Sequence, residues 1–465
     1  MDQTKRLSGM LGFSIVWIGQ IVSVLASSMT GFGMTLWMYK QTESATAMAF
    51  MQVAFMTPFL LLSPIAGAMV DRYNRKLMMM VSDLGAVLST TAILILYSTG
   101  RLEFWHLYIA NIINGLGNTF QWPAYSAAIS TMVPKEQYGR ANGMMSLVDA
   151  GPGVLAPVLA GAILALSLQG PFDSFALIML IDLVTFFLAI GALLIVHVPQ
   201  PEKTVEGQKA QGGLLKEGLW GFKYIFERPS LLGLQMIFFF GNLVSGIGFA
   251  VFAPMILART DQNSLIFGSI QTAGAVGGII GGVLMSAWGG FKRRVHGVLG
   301  GWILSGLSAA AFGAVTGLPL WITFSVLFMV MVPLINTSNQ SIWQAKVAPD
   351  LQGRVFSARR LIAWFTNPIA PIIGGTLADY VLEPAMRTTS GLSSIFGPLV
   401  GTGPGAGMGL LMFFAGICSS LVGLTGYFIP NIRNAEDVLP DHDQLEKAKT
   451  SEIEAGETPA EAPTD

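Results

Sequence analysis

Long apolar runs alternate with short polar connections along the whole chain. A helix needs about 20 mainly apolar residues to cross a bilayer, because each residue advances the helix by about 1.5 Å. Twelve runs of this length occur, bounded by Pro, Gly or charged residues. They predict transmembrane helices over residues 13–39, 47–70, 77–97, 107–133, 141–168, 174–198, 231–257, 265–288, 295–315, 319–347, 355–381 and 405–429.

The amino-acid composition also places the chain in a membrane. Hydrophobic residues make up 52% of its 465 residues and charged residues only 11%, whereas a soluble domain carries charge on about 25% of its residues. The net charge of −1 leaves no surplus of Lys and Arg for nucleic-acid phosphates, so we expect no nucleic-acid partner. The single cysteine, Cys418, lies in an apolar run and predicts no disulfide framework.

Basic residues divide the connections between the runs into two classes. Alternate connections hold most of the Lys and Arg residues, and the opposite set holds very few. Short cytoplasmic loops are enriched in Lys and Arg. We therefore expect a multi-pass protein of the bacterial cytoplasmic (inner) membrane with both termini in the cytoplasm. The basic residues of the opposite set are Lys40, Arg101, Arg259 and Arg387.

Changes in composition predict four segments. Residues 1–198 form a first six-helix bundle, residues 199–228 a polar cytoplasmic linker, residues 229–430 a second bundle and residues 431–465 a disordered acidic tail. Within the linker, apolar residues recur at spacings of four and three, which suits an amphipathic helix on the membrane surface. These apolar residues are Leu215, Leu219, Phe222 and Phe226, and the charged residues Lys216, Glu217, Lys223 and Glu227 take the other positions.

The two halves resemble each other at fixed positions. Gly139-Arg140 precedes the sequence APVLAG at residues 156–161, and Gly353-Arg354 precedes APIIGG at residues 370–375, at an offset of 214. Gly67 and Gly282 differ by 215. Such a duplication implies two bundles related by a pseudo-twofold axis along the membrane normal, with a binding cavity between them. The predicted fold class is therefore an all-α membrane protein of twelve helices.

The connection after the second run has the sequence GAMVDRYNRK over residues 67–76. It resembles the signature loop of the major facilitator superfamily, although Asn74 replaces the second glycine. This resemblance implies that Asp71 meets the start of the eleventh helix and latches the halves in an outward-facing state. An ordinary basic loop at lipid headgroups is the alternative. The second copy has Ser286 at the Asp71 position. Latch candidates are Gly67, Asp71, Arg72, Arg75, Lys76, Asp83, Arg140 and Arg354.

Ionisable residues inside spans are costly and are therefore functional candidates. We expect Asp83, near one end of the third span, to pair with loop arginines. Asp149 and Asp182 lie about 14 Å and about 12 Å into their spans. Both are candidates to take up and release protons, and so to couple transport to a proton gradient. The alternative is a carboxyl group that only fixes helix packing.

The fifth span carries glycines and prolines that favour close helix packing. Its sequence resembles, in weakened form, the antiporter motif of superfamily exporters. In the fourth span Asn114 stands where those exporters often place an arginine. The predicted packing residues of the fifth and eleventh spans are Gly151, Pro152, Pro157, Gly161, Pro371 and Gly375.

Amide side chains near the middle of several spans are candidates to line a substrate cavity, and hydrogen bonding between helices is the alternative. Together with many Met and Phe residues they favour an adaptable cavity for amphiphilic molecules. The candidates are Gln20, Asn111, Asn114, Asn242, Asn336, Asn339 and Gln340.

No catalytic, cofactor or metal site is predicted. The glycine-rich residues 401–407 lack the Lys-Ser or Lys-Thr of a nucleotide loop, and the four histidines are scattered. We expect a monomeric, non-enzymatic protein whose partners are a small amphiphilic substrate, protons and the lipid bilayer.

Several stretches together resemble the macrolide-efflux and siderophore-exporter branch of the superfamily. They include WIGQ at 17–20, FQWPA at 120–124, VPKE at 133–136 and GRVFS at 353–357. The resemblance implies the major facilitator fold and export by alternating access with proton antiport. A lipid or lysolipid flippase of the same fold and a non-transporting sensor or scaffold remain alternatives.

Overall fold

The computed structural model describes residues 9–42, 45–166, 173–201, 213–261, 263–367, 369–387, 391–442 and 444. Within these ranges the regular elements are helices. The chain divides into two compact units. The first contains Met1–Tyr224 and Val347–Arg359, and the second contains Ile225–Lys346 and Arg360–Asp465.

Six long helices and one short helix build most of the first unit. Local capping sets several of their starts: the Asn74 side chain accepts a hydrogen bond from the Leu77 amide at 3.1 Å, and Asp173 caps the sixth helix in the same way. The helices are α1 (Gly9–Thr42), α2 (Ala45–Arg72), α3 (Arg75–Ser98), α4 (Phe104–Met132), α5 (Tyr138–Leu166), α6 (Ser174–Ile195) and α7 (Leu214–Phe226).

The second unit repeats this pattern with more interruptions. Its seventh and eleventh spans are broken, and a π-helical turn follows α14 over Ala378–Leu382. The helices are α8 (Pro229–Ala250), α9 (Phe252–Arg259), α10 (Ser264–Trp288), α11 (Arg294–Ala314), α12 (Leu318–Lys346), α13 (Gln352–Trp364, which belongs to the first unit up to Arg359), α14 (Ile369–Leu377), α15 (Glu383–Arg387), α16 (Gly391–Val400), α17 (Ala406–Phe428), α18 (Pro430–Arg433) and α19 (Ala435–Val438).

The predicted twelve-helix architecture is confirmed. In the described part of the chain, eleven helical segments are long and apolar enough to span a bilayer. The remaining predicted span is α4, which has 29 residues but carries polar amide side chains that lower its hydropathy. Large apolar side chains such as Leu61, Val158 and Ile372 are at least 66% exposed. A surface of this kind is stable only against lipid.

The start of the predicted disordered tail is placed too early. Residues after Asn431 form α18 and α19, which belong to the second unit. The Glu436 carboxylate accepts a hydrogen bond from the Val295 amide at 3.0 Å, and Lys346 forms an ion pair with Asp441 at 3.0 Å. These contacts stabilise a stretch whose composition alone favours disorder. Residues 445–465 lie outside the described part.

Packing differs among the listed glycines and prolines. A Cβ atom added at Gly151, Gly161 or Gly375 would meet no heavy atom within 4 Å. Gly151 and Pro152 are nevertheless buried, Pro157 is partly buried and Pro371 is exposed. The close approach in the eleventh span occurs one residue earlier, where Gly374 lies against the Ile247 carbonyl of α8. The role of the listed residues in helix packing therefore stays a prediction.

Candidate functional site

A polar cavity of about 720 Å³ lies inside the first unit. Side chains from α1, α2, α3, α4 and α6 line it, and amide and hydroxyl groups dominate the polar part of the lining. Two carboxylates, from Asp83 and Asp182, also face it, whereas none of the described lining residues is Lys, Arg or His. The cavity is therefore acidic.

Asp83 is 7% exposed and is held by two amide side chains from other helices. Gln20 of α1 donates a hydrogen bond to one carboxylate oxygen at 3.1 Å, and Gln121 of α4 donates to the other. Gln121 also donates to the Gln20 carbonyl at 3.2 Å. This network corrects the prediction that Asp83 pairs with loop arginines: the residue faces the cavity, about two helical turns after Arg75.

Asp182 is 4% exposed and is held by hydroxyl groups. Ser27 of α1 donates to one carboxylate oxygen at 2.7 Å, and Thr90 of α3 donates to the other at 3.1 Å. Among the residues that the structure describes, neither Asp182 nor Asp83 forms an ion pair. Both buried carboxyl groups are thus stabilised by neutral donors alone.

A second arrangement of charges lies at the end of α2. The Asp71 carboxylate, whose side chain is fully buried, accepts hydrogen bonds from the Gly353 amide at 2.7 Å and the Arg354 amide at 2.9 Å. These are first-turn amides of α13, where the helix dipole favours an anion. The Arg354 and Arg75 side chains lie 3.3 and 4.0 Å from the carboxylate. A Cβ atom at Gly67 would overlap the Gly353 carbonyl, so this contact requires glycine.

A match to a family model over most of the chain shows the family. A model of the Major Facilitator Superfamily matches residues 16–371. The chain belongs to the Major Facilitator Superfamily. Members of this superfamily are membrane transporters rather than enzymes, as expected from the sequence.

Curated relatives agree with the predicted branch of the superfamily. The chain is 24% identical over 376 residues to macrolide efflux protein A of Streptococcus pyogenes, covering 80% of this chain and 90% of that protein. It is 27% identical over 345 residues to multidrug resistance protein 1 of Bacillus subtilis, covering 72% and 82%. Among solved structures, the fucose:proton symporter of E. coli superposes with a TM-score of 0.66 at 12% identity, covering 90% and 99%. The structural match confirms the major facilitator fold.

Other residues of the signature loop contact the first unit around Asp71. Arg75 donates to the Ala127 carbonyl at 2.9 Å, and Lys76 donates to the Val196 carbonyl at 2.9 Å. Arg72 forms two hydrogen bonds with Glu217 of α7, at 3.0 and 2.6 Å. Arg140 is exposed and makes no contact with Asp71 in the described structure, so its place in the latch is not supported.

The remaining predicted polar residues divide between the units. Asn111 and Asn114 line the first-unit cavity together with Gln20. Asp149 is exposed and lies outside that lining, which separates it from Asp182. In the second unit Asn339 accepts a hydrogen bond from Trp343 at 3.0 Å, as expected of a group that fixes packing. The other second-unit candidates, Asn242, Asn336 and Gln340, are partly buried, exposed and buried, respectively.

The second unit contains a smaller cavity of about 60 Å³ with different chemistry. Helices α8 to α12 and α17 line it with five phenylalanines, two methionines and several small residues, and Gln271, Ser245 and Ser325 supply the few polar groups. Neither Asn242, Asn336, Asn339 nor Gln340 lines it. The amide residues that the sequence analysis proposed as cavity lining therefore did not identify this cavity.

Sequence reasoning missed two functional candidates. Gln121 was not singled out, although it holds Asp83, and Glu217 was placed on the polar face of a surface helix, although its side chain is fully buried against Arg72. The sequence contained a signal for Gln121: its amide faces the same direction as Asn118 and Asn114, one and two helical turns earlier on α4.

Proposed function

We propose that this transporter exports small amphiphilic compounds, such as drug-, macrolide- or siderophore-like molecules, by alternating access coupled to proton antiport. It acts as a monomer in the bacterial cytoplasmic membrane, with both termini in the cytoplasm. The observation that carries the proposal is the pair of buried carboxylates, Asp83 and Asp182, on one cavity of the first unit.

The hydrogen-bond partners of these carboxylates suit proton exchange. A hydroxyl group both donates and accepts, so Ser27 and Thr90 can bond Asp182 in its charged or its protonated form after rotation. Gln20 and Gln121 likewise carry both amide hydrogens and a carbonyl oxygen beside Asp83. A fixed cation would instead hold either carboxylate in its charged form.

The direction and substrate class rest on the relatives and on the second unit. The matched relatives are named for macrolide efflux and multidrug resistance. The second-unit cavity offers phenylalanine and methionine side chains, which adapt to apolar groups of varied shape.

Asp71 supports alternating access. Its carboxylate holds the start of α13 through two backbone hydrogen bonds. Because those amides belong to a helix start, losing the contact would leave buried donors without an acceptor, at a cost of about 1–3 kcal/mol. We assign this contact the role of a latch that closes the cytoplasmic side and must break once in each cycle.

Proteoliposomes containing the purified full-length chain test the proposal. With an acidic lumen, wild-type protein should accumulate a labelled macrolide, since protons leaving the lumen drive its uptake. Asp83→Asn and Asp182→Asn should each lower gradient-driven uptake at least about tenfold, which corresponds to about 1.4 kcal/mol. The asparagine side chain in these variants cannot take up and release a proton as the carboxylate does.

Asp261→Asn is the matched control, because it makes the same chemical change at an exposed carboxylate in the loop after α9. Asp149→Asn tests the other carboxylate that the sequence suggested for proton coupling. Macrolide uptake by this variant should stay close to uptake by wild type. Full activity of both cavity variants would contradict proton coupling at this site. Movement of labelled lipid without macrolide or siderophore would favour a flippase, and movement of none would favour a sensor or scaffold.

A further inference from the structure

The short helix α7 has one face that packs tightly on the first unit. Glu217, Gly218, Gly221 and Tyr224 are buried on this face. A Cβ atom at Gly218 would overlap the Pro64 carbonyl of α2, and one at Gly221 would overlap the Arg354 carbonyl of α13. The backbone of α7 therefore contacts the backbones of α2 and α13, the two helices that the Asp71 contact joins.

Glu217 adds charge to this packed face. It is fully buried and forms two hydrogen bonds with Arg72, the residue that follows Asp71. A paired arrangement of guanidinium and carboxylate is geometrically specific. The position of α7 is thus tied directly to the residues around Asp71.

The opposite face of α7 combines cationic and large apolar side chains. Lys216 and Lys223 are exposed, and Leu219 and Phe226 are 54% and 59% exposed. The spacings of three and four place these residues along one side of the helix. Glu227, also exposed, is the acidic residue at its end. An apolar stripe flanked by lysines is the pattern of helices that lie in a bilayer interface.

The chain path brings this face close to the bilayer. Only two residues separate the end of α7 at Phe226 from the start of the span α8 at Pro229. Three peptide steps reach at most about 11 Å. The end of α7 must therefore lie within that distance of a transmembrane segment, whatever the path of the linker before it.

We propose that the exposed face of α7 docks on the anionic lipid surface of the bilayer and thereby stabilises the Asp71 contact. Leu219 and Phe226 enter the interface, and Lys216 and Lys223 bind lipid phosphates. Because the packed face of the same helix touches Arg72 and the backbone of Arg354, lipid binding holds the start of α13 in place. This inference concerns lipid binding and does not depend on the transported substrate.

A fluorescent probe measures the docking directly. The exposed Cys418 is first replaced by Ser, and Leu219→Cys is labelled with an environment-sensitive dye. In nanodiscs, brominated phosphatidylglycerol should quench the dye more than brominated phosphatidylcholine does. Lys216→Gln with Lys223→Gln should weaken the preference for phosphatidylglycerol about tenfold or more, since each lysine near an anionic surface contributes about fivefold.

Hydrogen exchange measures the connection to Asp71. In wild-type protein, exchange of the Gly353 and Arg354 amides should be slower in phosphatidylglycerol than in phosphatidylcholine. The double lysine variant should show the phosphatidylcholine rate in both lipids. Lys135→Gln with Lys292→Gln is the control that removes the same charge elsewhere, and it should keep the wild-type difference.

Two results would overturn the proposal. One is equal quenching by the two lipids at position 219 in wild type. The other is a lipid-dependent exchange rate that survives in the double lysine variant or disappears equally in the control variant. Neither readout uses transport, so both remain interpretable if the exporter proposal fails.

Discussion

The cavities of the two units differ although the units repeat the same order of spans. The first-unit cavity has a volume of about 720 Å³ and two carboxylates, Asp83 and Asp182. The cavity that Phe328 lines in the second unit has a volume of about 60 Å³, and its lining contains five phenylalanines, two methionines and no charged residue. A duplicated scaffold has thus kept its helices and changed its chemistry. We propose on this basis that the first unit handles charge and that the second unit contacts apolar groups.

The helix ends show the same divergence. Asp71 accepts two amide hydrogen bonds at the start of α13, whereas Ser286, at the equivalent position of the repeat, donates to the Gly282 carbonyl of its own helix at 2.7 Å. In the second unit the acidic cap comes from Glu436, after the last span, and it bonds the start of α11. This contact does not replace the Asp71 contact, because the residues of the repeat equivalent to Gly353-Arg354 are Gly139-Arg140.

The largest expected difference in stability concerns the cavity networks. Asp83→Ala should lower the free energy of unfolding by about 1–3 kcal/mol, because two buried amide groups lose their acceptor. Ser325→Ala in the second-unit cavity should cost less than about 1 kcal/mol, since it removes one long hydrogen bond together with its donor. Thermal unfolding in detergent compares the two variants.

Asp83→Asn is the matched control for this comparison, because it retains one acceptor oxygen and should fall between wild type and Asp83→Ala. Equal destabilisation by Asp83→Ala and Ser325→Ala would show that the network around Asp83 contributes no more than an ordinary hydroxyl contact.

A smaller difference in stability is expected between substitutions at Asp71 and at Ser286. Asp71→Asn keeps one acceptor oxygen for the two backbone amides of Gly353 and Arg354. Its side-chain NH₂ group then faces the other backbone N–H, and the negative charge at the helix start is lost. Exchange of the Gly353 and Arg354 amides should become about tenfold faster, the equivalent of about 1.4 kcal/mol. Ser286→Ala should change the stability of its own unit by no more than about 0.5 kcal/mol. Hydrogen exchange measured by mass spectrometry covers both, and an unchanged rate in Asp71→Asn would remove the latch.

The sequence predicted the spans well because lipid imposes a simple rule: about 20 apolar residues in a helix. It also indicated Asp71, since glycine, acid and basic residues stand in a fixed order after a span. Interactions between helices were harder to predict. The partners of Asp83 lie on α1 and α4, and no local pattern connects Gln20 or Gln121 to that carboxylate.

The role of α7 shows the same limit. The spacing of apolar residues in the sequence predicted the stripe, and it put Glu217 with the charged residues outside that stripe. Only the fold brings Arg72 beside it. Similarly, the acidic composition after Asn431 favoured disorder, while the basic residue that holds this segment, Lys346, lies at the end of α12.

Proton release on substrate binding tests the division between the units most directly. Purified transporter in weakly buffered solution should release protons when a macrolide is added, because substrate and protons exclude each other at the first-unit cavity. Asp83→Asn with Asp182→Asn should abolish this release, whereas Phe328→Ala in the second-unit cavity should retain it. Undiminished proton release by the double carboxylate variant would contradict the account.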